Sequence, residues 1–295
     1  MRWKETKKSQ NVEDRRARGG GFPGGKAGMG IGGILLAVVA MFMTGQFDLT
    51  SLLKLVGGSV AAGTGNTGGG GSGYQSTPED EERLAFVQHI LGSTETIWSD
   101  VFRKSGKVYK EPGLIVFHER TESGCGSAQS ATGPFYCPAD SKVYLDLDFF
   151  EMLSRRFGAP GDFAQAYVIA HEVGHHIQHL LGYTDMVHQK KGRVPQDVYN
   201  RWSVALELQA DFLAGVWAHH MNAKEGLLER GDREEAIRCA MRIGDDTLQK
   251  EATGTVRPET FTHGSSKQRA EWFLKGFETG DFNQGDTFGA LGLTR

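Results

Sequence analysis

Apolar residues recur at helical spacing from 79 to 104: Leu84, Val87, Ile90 and Leu91, then Ile97, Trp98, Val101 and Phe102. The pattern predicts helix, with Gly92 dividing it in two. Its start is written in Thr77-Pro78-Glu79-Asp80-Glu81: a hydroxyl to cap, a proline in the first turn, and acids beside the positive end of the helix dipole. Two continuous apolar runs, Leu114-Ile115-Val116-Phe117 and Val143-Tyr144-Leu145, read as strands. Helical spacing returns over 148–157, 162–181, 195–221, 233–249 and 266–279, with Asp162 as a cap and Gly182 as a stop. No internal repeat is visible. Several helices and one small sheet make an α+β fold.

The first quarter of the chain has another texture. Ala27 to Phe47 carries no charge, and at about 1.5 Å per residue that stretch spans roughly 30 Å, the thickness of a bilayer core. Gly57 to Gly73 holds nine glycines in seventeen residues, too little apolar surface to offset the entropy of ordering. The chain therefore divides into a basic cytoplasmic segment 1–26, a transmembrane anchor 27–49, a Gly-rich linker 50–76 and a folded domain 77–295. Basic residues before the span and Asp48 after it favour a single pass through the inner membrane, N-terminus cytoplasmic and folded domain periplasmic. A buried core helix and a cleaved signal peptide are the alternatives; no small-residue cleavage site follows the apolar run.

Charge sharpens the division. Residues 1–26 hold eight basic and three acidic side chains; the totals of 33 and 36 leave 25 basic against 33 acidic for the rest. An acidic body excludes a general nucleic-acid binder, and the basic head suits anionic lipid. Three cysteines are too few for a disulfide-built scaffold. Cys125 and Cys137 close a loop of about a dozen residues and can form a disulfide outside the cytoplasm. No C-x-x-C spacing offers a cysteine metal site.

The chemistry lies in the helix 162–181, at His171-Glu172-Val173-Gly174-His175. Histidines four apart differ by only about 40° around a helix, so both imidazoles face one point, and Glu172 reaches a water bound there. Ala166, Ile169, Ala170, Val173, Ile177 and Leu180 face away from them, so one side packs on a core and the other lines a cleft. Zinc needs a third ligand. A histidine six residues on, with a glycine midway, is ruled out by Leu181 and Gln178. Glu207-Leu208-Gln209-Ala210-Asp211 offers the other solution, a carboxylate from a later helix. Glu207 and Asp211 lie one turn apart on an otherwise apolar helix, where unpaired acids would be costly. One zinc ion held by His171, His175 and Glu207 satisfies the first. The ring N–H of a ligand histidine, His171, satisfies Asp211. His188, His219 and His220 are the rival third ligands. Gly174 on one helix and Ala210, Ala214 and Gly215 on the other permit close approach.

With HEVGHH on one helix and ELQAD on a later one, the chain resembles the gluzincins and, over nearly its full length, the bacterial neutral zinc metallopeptidase family of membrane-anchored proteins. Met1-Arg2-Trp3, residues 11–16, 133–138 and 143–146, and Thr262-His263-Gly264-Ser265 share in the likeness. The resemblance implies a zincin-like fold, one zinc ion, and a protein or peptide substrate. It departs at Phe212, where many relatives would carry cysteine, leaving Cys239 without an evident partner. Glu172 is then the general base of a zinc-activated water. His263 is the expected oxyanion donor; Arg269 is a second candidate, or orients Glu207. One strand near 113–119 or 141–146 is expected to pair with the substrate backbone. A different class of function is a non-catalytic, membrane-tethered zinc-binding module that recruits partners, against which Glu172 stands, since a structural site needs no base.

Overall fold

In the computed structural model, which describes residues 1–18 and 74–294, the first long helix starts as its sequence demands. Thr77 Oγ1 accepts from the Asp80 N–H while the Asp80 carboxylate accepts from the Thr77 N–H, closing both orphan donors. Helix α1 (Pro78–Lys104) then runs unbroken through Gly92, where the sequence suggested a break. The glycine serves packing instead: a Cβ there would stand 2.0 Å from the Lys7 carbonyl oxygen and 2.8 Å from the Ser9 nitrogen.

The residues crossing Gly92 belong to the N-terminal segment, which packs on the body rather than standing apart from it. Val12–Asp14 form strand β1, parallel to β2 (Gly113–Phe117), with Val12 opposite Leu114 and Asp14 opposite Val116. Ser9 and Asn11 donate to the buried Glu95 carboxylate at 2.6 and 2.8 Å. Arg16, buried itself, donates to Asp14 and Glu81 at 2.8 Å each and reaches the Tyr74 hydroxyl at 3.1 Å. The Met1 amino group pairs with Asp162, Glu229 and Asp232 at 3.0, 3.1 and 3.3 Å. Asp162 is thereby corrected from cap to ion-pair partner; the N-cap residue is Gly161, without a side-chain bond. The anchor expected at 27–49 and the Gly57–Gly73 tract lie outside the described residues. Among the described residues no helix is long and apolar enough to cross a membrane.

The main sheet has the order β1-β2-β6-β5. Strand β6 (Lys142–Asp146) is parallel to β2, and β5 (Phe135–Cys137) is antiparallel to β6 at the edge. Strands β3 (Arg120–Ser123) and β4 (Gly126–Gln129) form a separate hairpin. Its turn residue Cys125 is bonded to Cys137 of β5, with 5.8 Å between the Cα atoms. The remaining elements are helices: α2 (Asp148–Arg155), α3 (Asp162–Leu180), α4 (Tyr183–His188), α5 (Gln196–Glu225), α6 (Asp232–Arg242), α7 (Asp245–Thr253), α8 (Ser266–Thr279) and α9 (Thr287–Ala290). A mostly helical α+β fold is what the pattern predicts. The single helix expected over 233–249 is two: Gly244 is extended and caps the second, and a Cβ on it would lie 2.3 Å from the Ser266 nitrogen. The chain must turn where α8 begins.

Helix α3 sits at the centre, packed by α1, α5 and α6. Ala166, Ile169, Ala170, Val173 and Ile177 are buried in the main core with Phe163, Tyr167 and Trp217. Gly174 and Ala210 make the α3–α5 contact, a Gly174 Cβ falling 3.0 Å from the Ala210 carbonyl oxygen. Gly215 does not take part in it. Its Cβ would lie 2.1 Å from the Phe273 carbonyl oxygen, so it admits α8, and Gly276 of α8 answers at 2.1 Å from the Phe212 carbonyl oxygen.

Candidate metal centre

The Gly174–Ala210 contact lies between His171 and His175 on one helix and Glu207 and Asp211 on the other, so close backbone approach sets the depth of the site. His171 Nε2 is 3.2 Å from Glu207 Oε2, and His175 Nε2 is 3.5 Å from Glu207 Oε1. Ligands about 2.0–2.1 Å from a tetrahedral zinc stand roughly 3.3 Å apart, so these three donors fit one ion. The side chains are 8, 17 and 16% exposed for His171, His175 and Glu207, which leaves the point they share open to water. The rival ligands His219 and His220 are turned to the Phe277 and Gly280 carbonyls, and His188 lies outside the cluster.

Among the described residues two other groups bring acids together, and both are already spoken for. Asp146 accepts from the Glu119 and Asp148 N–H groups and the Ser130 hydroxyl. Asp162 and Asp232 hold the Met1 amino group.

Asp211 is fully buried and answers three neighbours. It accepts from His171 Nδ1 at 2.8 Å, from Arg269 Nε and Nη2 at 2.8 and 3.0 Å, and from the Tyr167 hydroxyl. The expected Asp211–His171 pair is present. Arg269 is corrected: it clamps Asp211 from behind instead of orienting Glu207 or facing the cleft. Burial resists charge on every member. The Arg269 guanidinium and His171 nonetheless hold the Asp211 carboxyl down at about 2. Asp211 and Glu207 lift His171 to about 10 against the same burial. Glu207 lies well below the usual carboxylate range, with His175, His263 and His171 overcoming its desolvation. The space between Glu207 and the imidazoles thus favours positive charge, as a dication site must.

Glu172, buried on α3, shows the opposite trend: desolvation raises its carboxyl despite both histidines. The Tyr136 backbone of β5 is near enough to work against that rise. That places the edge strand of the sheet at the base. The strands expected to bind substrate, β2 and β6, are each paired on both sides; the edges are β1 and β5, and β5 is the one beside Glu172. His176 fixes β5 to α3, with Nε2 on the Lys110 carbonyl at 2.6 Å and Nδ1 on the Tyr136 hydroxyl at 3.0 Å.

His263 stands close enough to Glu207 for their charges to couple, and it is held by Asp245, with Nδ1 to Oδ1 at 3.3 Å. The other Asp245 oxygen gathers the N–H groups of Thr262, His263 and Gly264 at 2.7, 2.7 and 3.0 Å. Tyr167, Asp245 and His176 were not legible as functional residues. Their only sequence signals were an aromatic one turn before His171 and an acidic pair after Gly244.

Residues 1–288 match the family described as "Putative neutral zinc metallopeptidase". The chain belongs to this family. It is 46% identical over 299 residues to the uncharacterized protein YpfJ of Escherichia coli K12, covering 98% of this chain and 99% of that one. It is 40% identical over 220 residues to uncharacterized proteins of Mycobacterium bovis, Mb2605, and Mycobacterium tuberculosis H37Rv, Rv2575, covering 70% of this chain and 73% of each. No solved structure matches the chain. Family membership implies zinc, and the three donors described above fit it.

Proposed function

We propose that this protein is a zinc-dependent peptidase that hydrolyses peptide bonds with Glu172 as general base. The observation that carries the reading is the convergence of His171 Nε2, His175 Nε2 and a Glu207 carboxylate, beside a buried fourth group, Glu172, that no structural zinc site requires. When bound, the ion supplies an acidified water and polarises the scissile carbonyl. Glu172 accepts a proton at its carboxylate and returns one to the leaving amine; its raised affinity for protons suits the second task. Asp211, clamped by Arg269 and Tyr167, holds a proton of His171 on Nδ1 and so leaves Nε2 as the nitrogen offered to the ion. His263, its Nδ1 held by Asp245, is the donor for the oxyanion. The β5 edge lies where an extended peptide could add as a further strand past Glu172.

The test uses the full-length protein, a peptide library and a chelator. Cleavage should be lost with chelator and in Glu172→Gln, while that variant keeps about one zinc per chain. Equal cleavage by wild type and Glu172→Gln would refute the assignment of the base. Stoichiometric zinc with no cleavage of any peptide would favour the non-catalytic recruiting module.

A further inference from the structure

The second ligand histidine has an orienting system of its own. His175 Nδ1 lies 2.9 Å from Gln178 Oε1. Gln178 Nε2 donates to the Leu206 carbonyl at 2.6 Å and to Gln209 Oε1 at 3.1 Å. Gln209 Nε2 donates in turn to the Gly285 carbonyl at 2.9 Å. Both glutamines are buried. A carbonyl oxygen can only accept, so Leu206 and Gly285 fix which way each amide faces. The Gln209 oxygen must then accept from Gln178, and the Gln178 oxygen must accept from His175. We infer that Gln178 and Gln209 are positioning residues that hold a His175 proton on Nδ1 and so turn its Nε2 toward Glu207 and the ion. Gln178 stands three residues after His175, one helical turn along the same face of α3. His171 is thus set from α5 and α8 by a charged clamp, and His175 by a neutral relay anchored on backbone.

This inference rests on the zinc reading, and the measurements separate the two. The full-length wild type, Gln178→Leu and Gln209→Leu would be titrated with zinc against a chromophoric chelator, with apo-protein melting recorded alongside. Gln178→Leu should weaken zinc binding about 10- to 100-fold. Gln209→Leu should weaken it less, and the double variant should be no worse than Gln178→Leu alone. Zinc affinity within twofold of wild type in a folded Gln178→Leu overturns the inference. Wild-type protein that binds no zinc overturns the functional reading instead. Should Gln178→Leu fail to fold, 15N imidazole spectra of zinc-loaded wild type decide: a slowly exchanging proton on His175 Nδ1 is expected, and one that exchanges as fast as that of an exposed imidazole refutes the relay.

A second observation stands independently. Arg16, three residues before the undescribed stretch, bonds to Tyr74 and Ser76 just beyond it. Gly92 admits residues 7–9, Glu95 holds Ser9 and Asn11, and β1 completes the sheet. We propose that residues 1–18 and the zinc-binding body occupy one compartment. A single crossing by residues 27–49 would set them on opposite sides of a core about 30 Å thick and undo every one of these contacts. The test places one cysteine at a time at Lys4, whose side chain is 69% exposed, or Met241, 47% exposed. A membrane-impermeant thiol probe is then applied to spheroplasts before and after lysis, and its signal read above that of the parent chain. Both positions should label under the same condition. Labelling of one in intact spheroplasts and of the other only after lysis would overturn the proposal.

Discussion

Asp211 is the residue on which the site's order depends. It has no exposed surface, and its two oxygens serve a guanidinium, an imidazole and a phenol. Asp211→Asn keeps the shape but removes the charge that Arg269 and His171 share. Zinc affinity should fall about 10- to 100-fold. Asp211→Ala leaves the Arg269 guanidinium buried without its partner and should cost about 3–5 kcal/mol of stability in chemical denaturation. The convergence of His171, His175 and Glu207, with Asp211 behind, was legible in the sequence because it depends on the period of a helix. The role of Arg269 was not, because 58 residues separate it from Asp211 and only tertiary packing decides which acid it meets.

Among the elements, α5 and α8 show how tightly glycine sets the spacing. A methyl on Gly276 would lie 2.1 Å from the Phe212 carbonyl. Gly276→Ala should therefore cost about 3 kcal/mol and, by moving α8 with Arg269, lower zinc affinity as well; denaturation and zinc titration report the two effects. The N-terminal segment gives a pH prediction. Burial raises the Asp14 carboxyl, but Arg16 outweighs it and holds it below its usual value; the Ser76 hydroxyl and Arg16 do the same for Glu81. Carboxyls depressed in the folded state stabilise fully above the ordinary range near pH 4, and that stabilisation is lost as pH falls through the folded values. Amide exchange in Val12–Asp14 should be protected at pH 7 and accelerate, relative to the body, below about pH 4. The long helices were legible from periodicity. Strands β1 and β5, three residues each, were not, since three residues carry no alternation and β1 exists only because β2 offers its edge. The break at Gly92 was misread because a glycine inside a helix looks alike whether it ends the helix or admits another backbone.

Taken whole, the described part of the molecule is a helical body whose small sheet forms one wall of the candidate metal site, and the Cys125–Cys137 bond ties that wall to a hairpin. Replacing both cysteines by serine should cost about 3 kcal/mol through the freed loop, a fall of about 6–12 °C in melting temperature. Zinc content should not change, because none of the ligands lies on the hairpin or on β5.

The bond carries a practical corollary. Its Cys125 end is exposed while its Cys137 end is buried, so a reductant meets it from the hairpin side. Once it is severed, the strand beside Glu172 keeps its pairing with β6, the Phe135–Tyr144 stack and the His176 contact, but loses its covalent tie. Batches made with and without thiol in the buffer would carry the same metal and yet differ in turnover. Counting free sulfhydryls in each batch would show whether two laboratories had assayed the same form of the protein.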